Sequence, residues 1–223
     1  MDPPQRPAAR TGNRLKPEIA AFDFDGTLAD TLPWFDGILD DVADRYGFRK
    51  PSAQERQQMR HCSAQDILKM LRVPFWKLPA IMIHVRQRMA EAGPGEVRLF
   101  DGIADSLAQV KRAGVRLAVV SSNSLDNVRR VLGPEVEPLF DDYECGTDMF
   151  GKPAKLKRLL TRHAVPPRQL VLVGDELRDI DAARQAGVRV GCVAWGYNHV
   201  DALRAGSPDA LFLKVADIPA QLT

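Results

Sequence analysis

From residue 99 onward the chain alternates short apolar runs with segments of helical period, and that alternation leaves few folds open. Residues 116–120, 142–145, 170–173, 189–194 and 210–213 read as strands. Residues 103–113, 125–132, 155–163 and 180–186 read as helices, with Gly114, Gly133 and Gly187 at three of their ends. Strand and helix in repeated alternation imply a parallel sheet covered on both faces. Ligands of such a sheet bind beyond the carboxyl ends of its strands. The run from Ile19 to Phe24 has the same apolar character and belongs to the same sheet.

The stretch in between breaks the rhythm. Ile38, Leu39, Val42, Ala43 and Tyr46 recur at helical spacing up to Gly47, and residues 51–92 carry further helices and no convincing strand. Ser63 with Asp66 reads as a helix-opening capping box, and Ile81, Val85, Arg88 and Met89 fall on one helical face. Gly93-Pro94-Gly95 ends this region. The chain therefore divides into a disordered tail, 1–15, an α/β core, 16–32 and 100–223, and an inserted all-helical cap, 33–99, hinged near Leu32-Pro33 and 100–102.

A chain of 223 residues can bury one large core with a small second domain. A net charge of +2 predicts no nucleic-acid or membrane partner, and no apolar run is long enough to span a bilayer. The Pro- and Arg-rich start lacks the apolar centre of a secretory signal. Cys62, Cys145 and Cys192 are widely spaced, form no metal or redox motif, and suit a reducing, cytoplasmic setting.

Four polar stretches each follow the end of an apolar run. The first is Asp23-Phe24-Asp25-Gly26-Thr27, where two carboxylates stand two residues apart on the strand and so share a face, aimed the same way. Buried carboxylates so close repel one another, and a hard cation such as Mg²⁺ makes the pair tolerable. The second is Ser121-Ser122-Asn123-Ser124, small hydroxyls and backbone N–H groups that can bind an anion; alone, it reads as a plain helix cap. The third is Lys152-Pro153, whose ammonium could neutralise a phosphate or remain a solvated surface charge. Lys155, one turn into the expected helix, should point elsewhere. Gly146 to Lys152 also fits the start of a nucleotide-binding loop, but Pro153 stands where that loop needs a hydroxyl for Mg²⁺. The fourth is Gly174-Asp175-Glu176 with Asp179 one helical turn on, an arrangement suited to a metal ligand and its supporting group.

Together and in this order, DFDGTLAD, the Ser121-Ser122 strand end, Lys152-Pro153 and GDELRDIDAARQAG resemble the four motifs of the haloacid dehalogenase superfamily. The resemblance covers about residues 17–196 and is strongest to phosphoglycolate phosphatase-like members with a small helical cap. It implies a Rossmann-like core of strand order 3-2-1-4-5 and a Mg²⁺-dependent phosphomonoester hydrolase acting through an aspartyl-phosphate. It implies Asp23 as nucleophile and Asp25 as general acid and base. Ser121 and Lys152 would hold the phosphoryl group, with Ser122, Asn123 and Thr27 beside the substrate. Asp23, Asp175 and the main-chain carbonyl of Asp25 would hold the metal, supported by Asp179. Glu176 departs from the Ser or Thr usual in relatives. A phosphomutase or phosphotransferase of the same superfamily is the rival enzyme, and a non-catalytic phosphate-binding protein on this fold is the rival of another class. The expected partner is a small phosphorylated metabolite, and the chain a monomer or homodimer. For a substrate carboxylate, Arg56, Arg60, His61 and Lys69 are the cap candidates; Trp34 could close the site, and Trp195-Gly196-Tyr197-Asn198 could line its entrance or merely pack.

Overall fold

The computed structural model describes residues 15–93, 95–146 and 151–223. The expected tail up to residue 14, Pro94 and the interior of the Gly146 to Lys152 stretch lie outside them. Leu15, placed in the tail by the sequence, is instead buried, and its N–H donates to Gln221 O at 2.7 Å.

The strands are β1 (Ile19–Phe22), β2 (Ala29–Asp30), β3 (Arg98–Leu99), β4 (Arg116–Val120), β5 (Asp142–Glu144), β6 (Leu170–Gly174), β7 (Arg189–Val193) and β8 (Ala210–Phe212). The helices are α1 (Leu32–Tyr46), α2 (Ala53–Met59), α3 (Ala64–Met70), α4 (Leu78–Glu91), α5 (Ile103–Arg112), α6 (Leu125–Val136), α7 (Lys152–His163), α8 (Leu177–Ala186), α9 (Val200–Ala205) and α10 (Asp217–Leu222).

Six strands form a parallel sheet in the order β5-β4-β1-β6-β7-β8. The five-strand order expected of the core holds within it, and β8 adds a sixth strand at the β7 edge. β1 lies at the centre, with Phe22 level with Val119 on one side and Val173 on the other. Successive β1 residues face opposite sides, and both sides are buried, which explains the unbroken apolar run. Ala20 and Phe22 pack with Leu107 of α5, Val128 of α6 and Ile218 of α10. Ile19 and Ala21 pack with Leu156 of α7 and Ile180 of α8. Leu107 is fully buried, so Leu107→Ala should cost about 2–5 kcal/mol by urea unfolding, with an unchanged denaturant slope.

The helical segment has its own small cluster, in which Ile38, Val42 and Ile81 pack against Phe35, Tyr46 and Val85. α1 ends at Gly47 in the left-handed conformation, φ 67°, as its position after the last periodic residue suggests. Around this segment β2 and β3 pair antiparallel, Ala29 with Leu99 and Asp30 with Arg98. The chain thus leaves the sheet region and returns to it at one point. The two-residue strands were not legible as such, because each is too short to carry a period. α6 also runs past its expected end: Gly133, φ 67° and ψ 177°, kinks it, and helical turns resume at Pro134.

Candidate active site at the strand ends

The polar residues singled out above converge because the strands that carry them end level. β1 stops at Phe22, so Asp23 already lies beyond regular strand, though its N–H extends the ladder to Val173 O at 2.8 Å. Asp23, Asp175 and Asp179 are buried and each offers a carboxylate oxygen, all within 4.8 Å of one another. Asp25, expected to aim the same way as Asp23, does not: regular strand ends at Phe22, and the Asp25 side chain is outside that group and turns towards Asn123, whose amide donates to both of its carboxylate oxygens at 3.2 Å.

Each acid of the group is held differently. Asp23 Oδ1 accepts the Phe24 N–H at 2.8 Å. Asp23 Oδ2 lies 2.6 Å from the Lys152 ammonium, yet it is buried and accepts no hydrogen bond of good geometry. Both oxygens of Asp175 are engaged, by the Thr27 hydroxyl at 2.7 Å and the Tyr197 N–H at 2.8 Å. Asp179 is spent on the protein: Oδ1 takes Lys152, and Oδ2 takes the N–H groups of Asp175 at 3.1 Å and Glu176 at 3.0 Å. Asp179 thereby serves as a strut for Lys152 and for the turn that presents Asp175.

The electrostatics follow from burial and charge. Burial disfavours ionised Asp179, but Lys152 and Arg178 outweigh it and hold the carboxyl below the usual range. Burial likewise opposes the Lys152 charge, and Asp179 and Asp23 more than restore it. Asp175 is pushed well up, first by burial and then by Glu176, Asp23 and Asp179. Asp25 is pushed up to about 6 by burial and the Asp23 charge, against the Asn123 amide. Two glycines make the crowding possible. A Cβ on Gly26, whose φ is +76°, would fall 2.2 Å from Asp175 Oδ2, and one on Gly196 would fall 2.3 Å from the Asp175 Cβ.

The remaining expectations fare unequally. Thr27 was expected beside the substrate, but it is buried and its hydroxyl is committed to Asp175. Ser121 is buried, and its Oγ accepts the Asn123 N–H at 2.9 Å. Ser122 and Asn123 border a cavity of about 300 Å³ that also meets Asp25, Trp34 and Arg178. Asp23, Asp175 and Lys152 are not on its wall. Lys155 points to the strand ends, not away from them: its ammonium donates to Ser121 O at 2.6 Å. The physical reason is that Lys152 and Lys155 stand three residues apart in the first turn of α7, and residues at that spacing share a helix face. Tyr197 and Asn198 do more than pack, since the Tyr197 N–H holds Asp175 and the Asn198 side-chain Oδ1 accepts the Leu177 N–H at 2.9 Å. The Tyr197 N–H is a main-chain donor, which leaves no trace in side-chain identity.

An all-oxygen donor set of carboxylates, with one buried acceptor atom lacking a hydrogen bond, fits a hard divalent cation such as Mg²⁺. Lys152 and Asp175 should then respond oppositely to mutation in protein stripped of metal with EDTA. Lys152→Met leaves Asp23 and Asp179 uncompensated and should cost about 3–5 kcal/mol. Asp175→Asn removes one of several like charges and should leave the melting temperature unchanged or higher. Thermal unfolding of both variants in EDTA is the check.

Comparison with known proteins agrees with this geometry. Residues 20–193 match the family model described as haloacid dehalogenase-like hydrolase. A phosphoglycolate phosphatase of Synechococcus elongatus is 32% identical over 203 residues, covering 91% of this chain and 95% of that protein. Among solved structures, a haloacid dehalogenase-like hydrolase from Streptococcus pneumoniae superposes with a TM-score of 0.74 at 20% identity, covering 92% of this chain and 99% of that one. A mutant of CbbY from Rhodobacter sphaeroides in complex with xylulose bisphosphate gives 0.65 at 27% identity, covering 90% and 96%.

Proposed function

The chain belongs to the haloacid dehalogenase-like hydrolase family and is a phosphatase, and from that premise we propose that it hydrolyses a small phosphomonoester of the phosphoglycolate kind through a phosphorylated Asp23. The observation that carries this reading is Asp23 Oδ2: a buried carboxylate oxygen at a strand end, beside a fixed ammonium and without a hydrogen bond of its own. Lys152 offsets its charge while no hydrogen-bond donor occupies its lone pairs, which suits a nucleophile.

Asp23, Asp175 and the main-chain carbonyl of Asp25 would hold Mg²⁺, which supplies charge neutralisation for the phosphoryl group. Asp23 attacks phosphorus; Lys152, buried between Asp23 and Asp179, offsets the negative charge that would otherwise repel the ester. Asp25, free of the acidic group and positioned by Asn123, donates a proton to the leaving oxygen. In the second half it takes a proton from the water that cleaves the aspartyl-phosphate. Ser121 would orient the phosphoryl group through the turn it forms with Asn123, and Ser122 through its place on the cavity wall.

The division into core and cap belongs to the same reading. Residues 33–99 would close over the strand ends and exclude water, and the pairing of β2 with β3 gives them a narrow base on which to move. Removing the cap and bridging the gap should leave a folded core with poor selectivity, seen as turnover of many esters at similar kcat/KM.

Two measurements test the chemistry. Thorough EDTA treatment should abolish phosphate release and added Mg²⁺ should restore it; full activity without metal would refute the metal's part. In Asp25→Asn, p-nitrophenyl phosphate needs no proton on its leaving group, so phosphorylation should survive while hydrolysis of the adduct stalls. Acid quench and mass spectrometry should then find phosphate on the Asp23 peptide, and none in Asp23→Asn. An adduct on Ser121, or an isomeric ester as product in place of inorganic phosphate, would overturn the assignment.

A further inference from the structure

Four arginines reach the wall of the cavity that meets Asp25: Arg56, Arg60, Arg86 and Arg178. Three are already engaged. Arg56 pairs with Asp36 at 3.1 Å and with Asp40 at 2.5 Å. Arg60 donates to Tyr197 O at 3.2 Å and Gly196 O at 2.9 Å. Arg178 forks onto Glu176. Arg86 differs. It is 9% exposed, and its Nε and Nη2 donors are buried without a hydrogen-bond partner. No carboxylate among the described residues forms an ion pair with it.

A buried guanidinium with idle donors costs stability, because water has been removed and nothing replaces it. The fold nevertheless fixes it in place. α4 presents Arg86 from the cap side, and its main-chain carbonyl accepts the Asn127 amide of α6 at 3.0 Å. One turn on, Met89 Sδ accepts the amide of Asn123, the residue that also holds Asp25. The Arg86 backbone is thus pinned to the core next to the expected proton donor, while its fork is left open in a largely apolar pocket. Planar forked donors match carboxylate and phosphate oxygens two at a time.

We propose that Arg86 determines substrate choice: its open fork receives a second anionic group, carboxylate or phosphate, on the ester whose phosphoryl group is cleaved at Asp23. This rests on the phosphatase reading above and adds what the substrate must carry at its other end. A cavity of about 300 Å³ limits that substrate to a small molecule. The cap residues first suspected fall away: Arg56 and Arg60 are engaged as described, His61 stacks on His199 at 4.7 Å, and Lys69 is exposed beside Asp66.

The test uses the full chain with Mg²⁺, the variants Arg86→Met and Arg86→Lys, and three esters: phosphoglycolate, a sugar bisphosphate, and p-nitrophenyl phosphate, which has no second anion. In Arg86→Met the kcat/KM ratio of an anionic ester to p-nitrophenyl phosphate should fall roughly tenfold or more, mainly through KM, and Arg86→Lys should recover part of it. The anionic ester with the larger fall identifies the group that is read. Unfolding without ligand should show Arg86→Met as stable as the parent or more so. An equal loss on all three esters, or a lowered melting temperature with the ratio unchanged, would make Arg86 a structural residue and end the proposal. If the parent hydrolyses none of them, the phosphatase reading fails by itself. Arg86 is then judged by whether phosphoglycolate raises the melting temperature of the parent and not of Arg86→Met.

Discussion

A single buried ammonium makes this site possible. Lys152 stands between Asp23 and Asp179 with almost no solvent to share the load, and without it the strand ends would gather negative charge that a protein interior does not tolerate. Its place depends on the helix that carries it. α7 starts at Lys152, with Pro153 behind it, so the ammonium leaves the first turn of the helix towards the sheet. Asp179 in turn fixes the N–H groups of Asp175 and Glu176, so the same ion pair shapes the turn after β6. Charge, helix start and strand end form one unit.

Much of that unit was legible because its signals are local. An apolar run with acids and a glycine at its end states both strand and turn, and Asp175 with Asp179 states a helix start beside a strand end. The parallel sheet followed from alternation alone, and five of its strands fall in the expected order. What the sequence hid was decided by partners far along the chain. Thr27 sits in the first motif, yet its hydroxyl belongs to Asp175, 148 residues away. In the sequence Arg86 looks no different from Arg88 of the same helix; only the absence of a partner distinguishes it, and an absence in three dimensions has no sequence pattern. Lys155, one turn into its helix, was expected to point elsewhere, but three residues from Lys152 it shares that residue's face, and its partner Ser121 O lies 34 residues back in the chain.

The site also shows how stability is spent. The apolar layers on both sides of β1 are buried, whereas one arginine facing the cavity keeps idle donors. Asp23 Oδ2 has Lys152 as its charge partner but no hydrogen bond; among the described residues Arg86, on the cap side, has no ion-pair partner, and its Nε and Nη2 have no hydrogen bond. Among the described residues, no helix is long and apolar enough to cross a membrane.

The contact between residues 60–62 and 196–199 couples two things usually considered apart. Arg60 grips the carbonyls of Gly196 and Tyr197; Asn198 and the His199 N–H return bonds to the carbonyls of Arg60 and Cys62. The same short loop gives Asp175 the Tyr197 N–H. At about 1 kcal/mol for each bond, lifting the helices away is a penalty of several kcal/mol, and an unlatched population of one per cent or less. Any such lifting pulls on the backbone that steadies Asp175. The latch and the acid therefore share one mechanical element, and a molecule that holds the helices down also tightens the grip on whatever Asp175 holds.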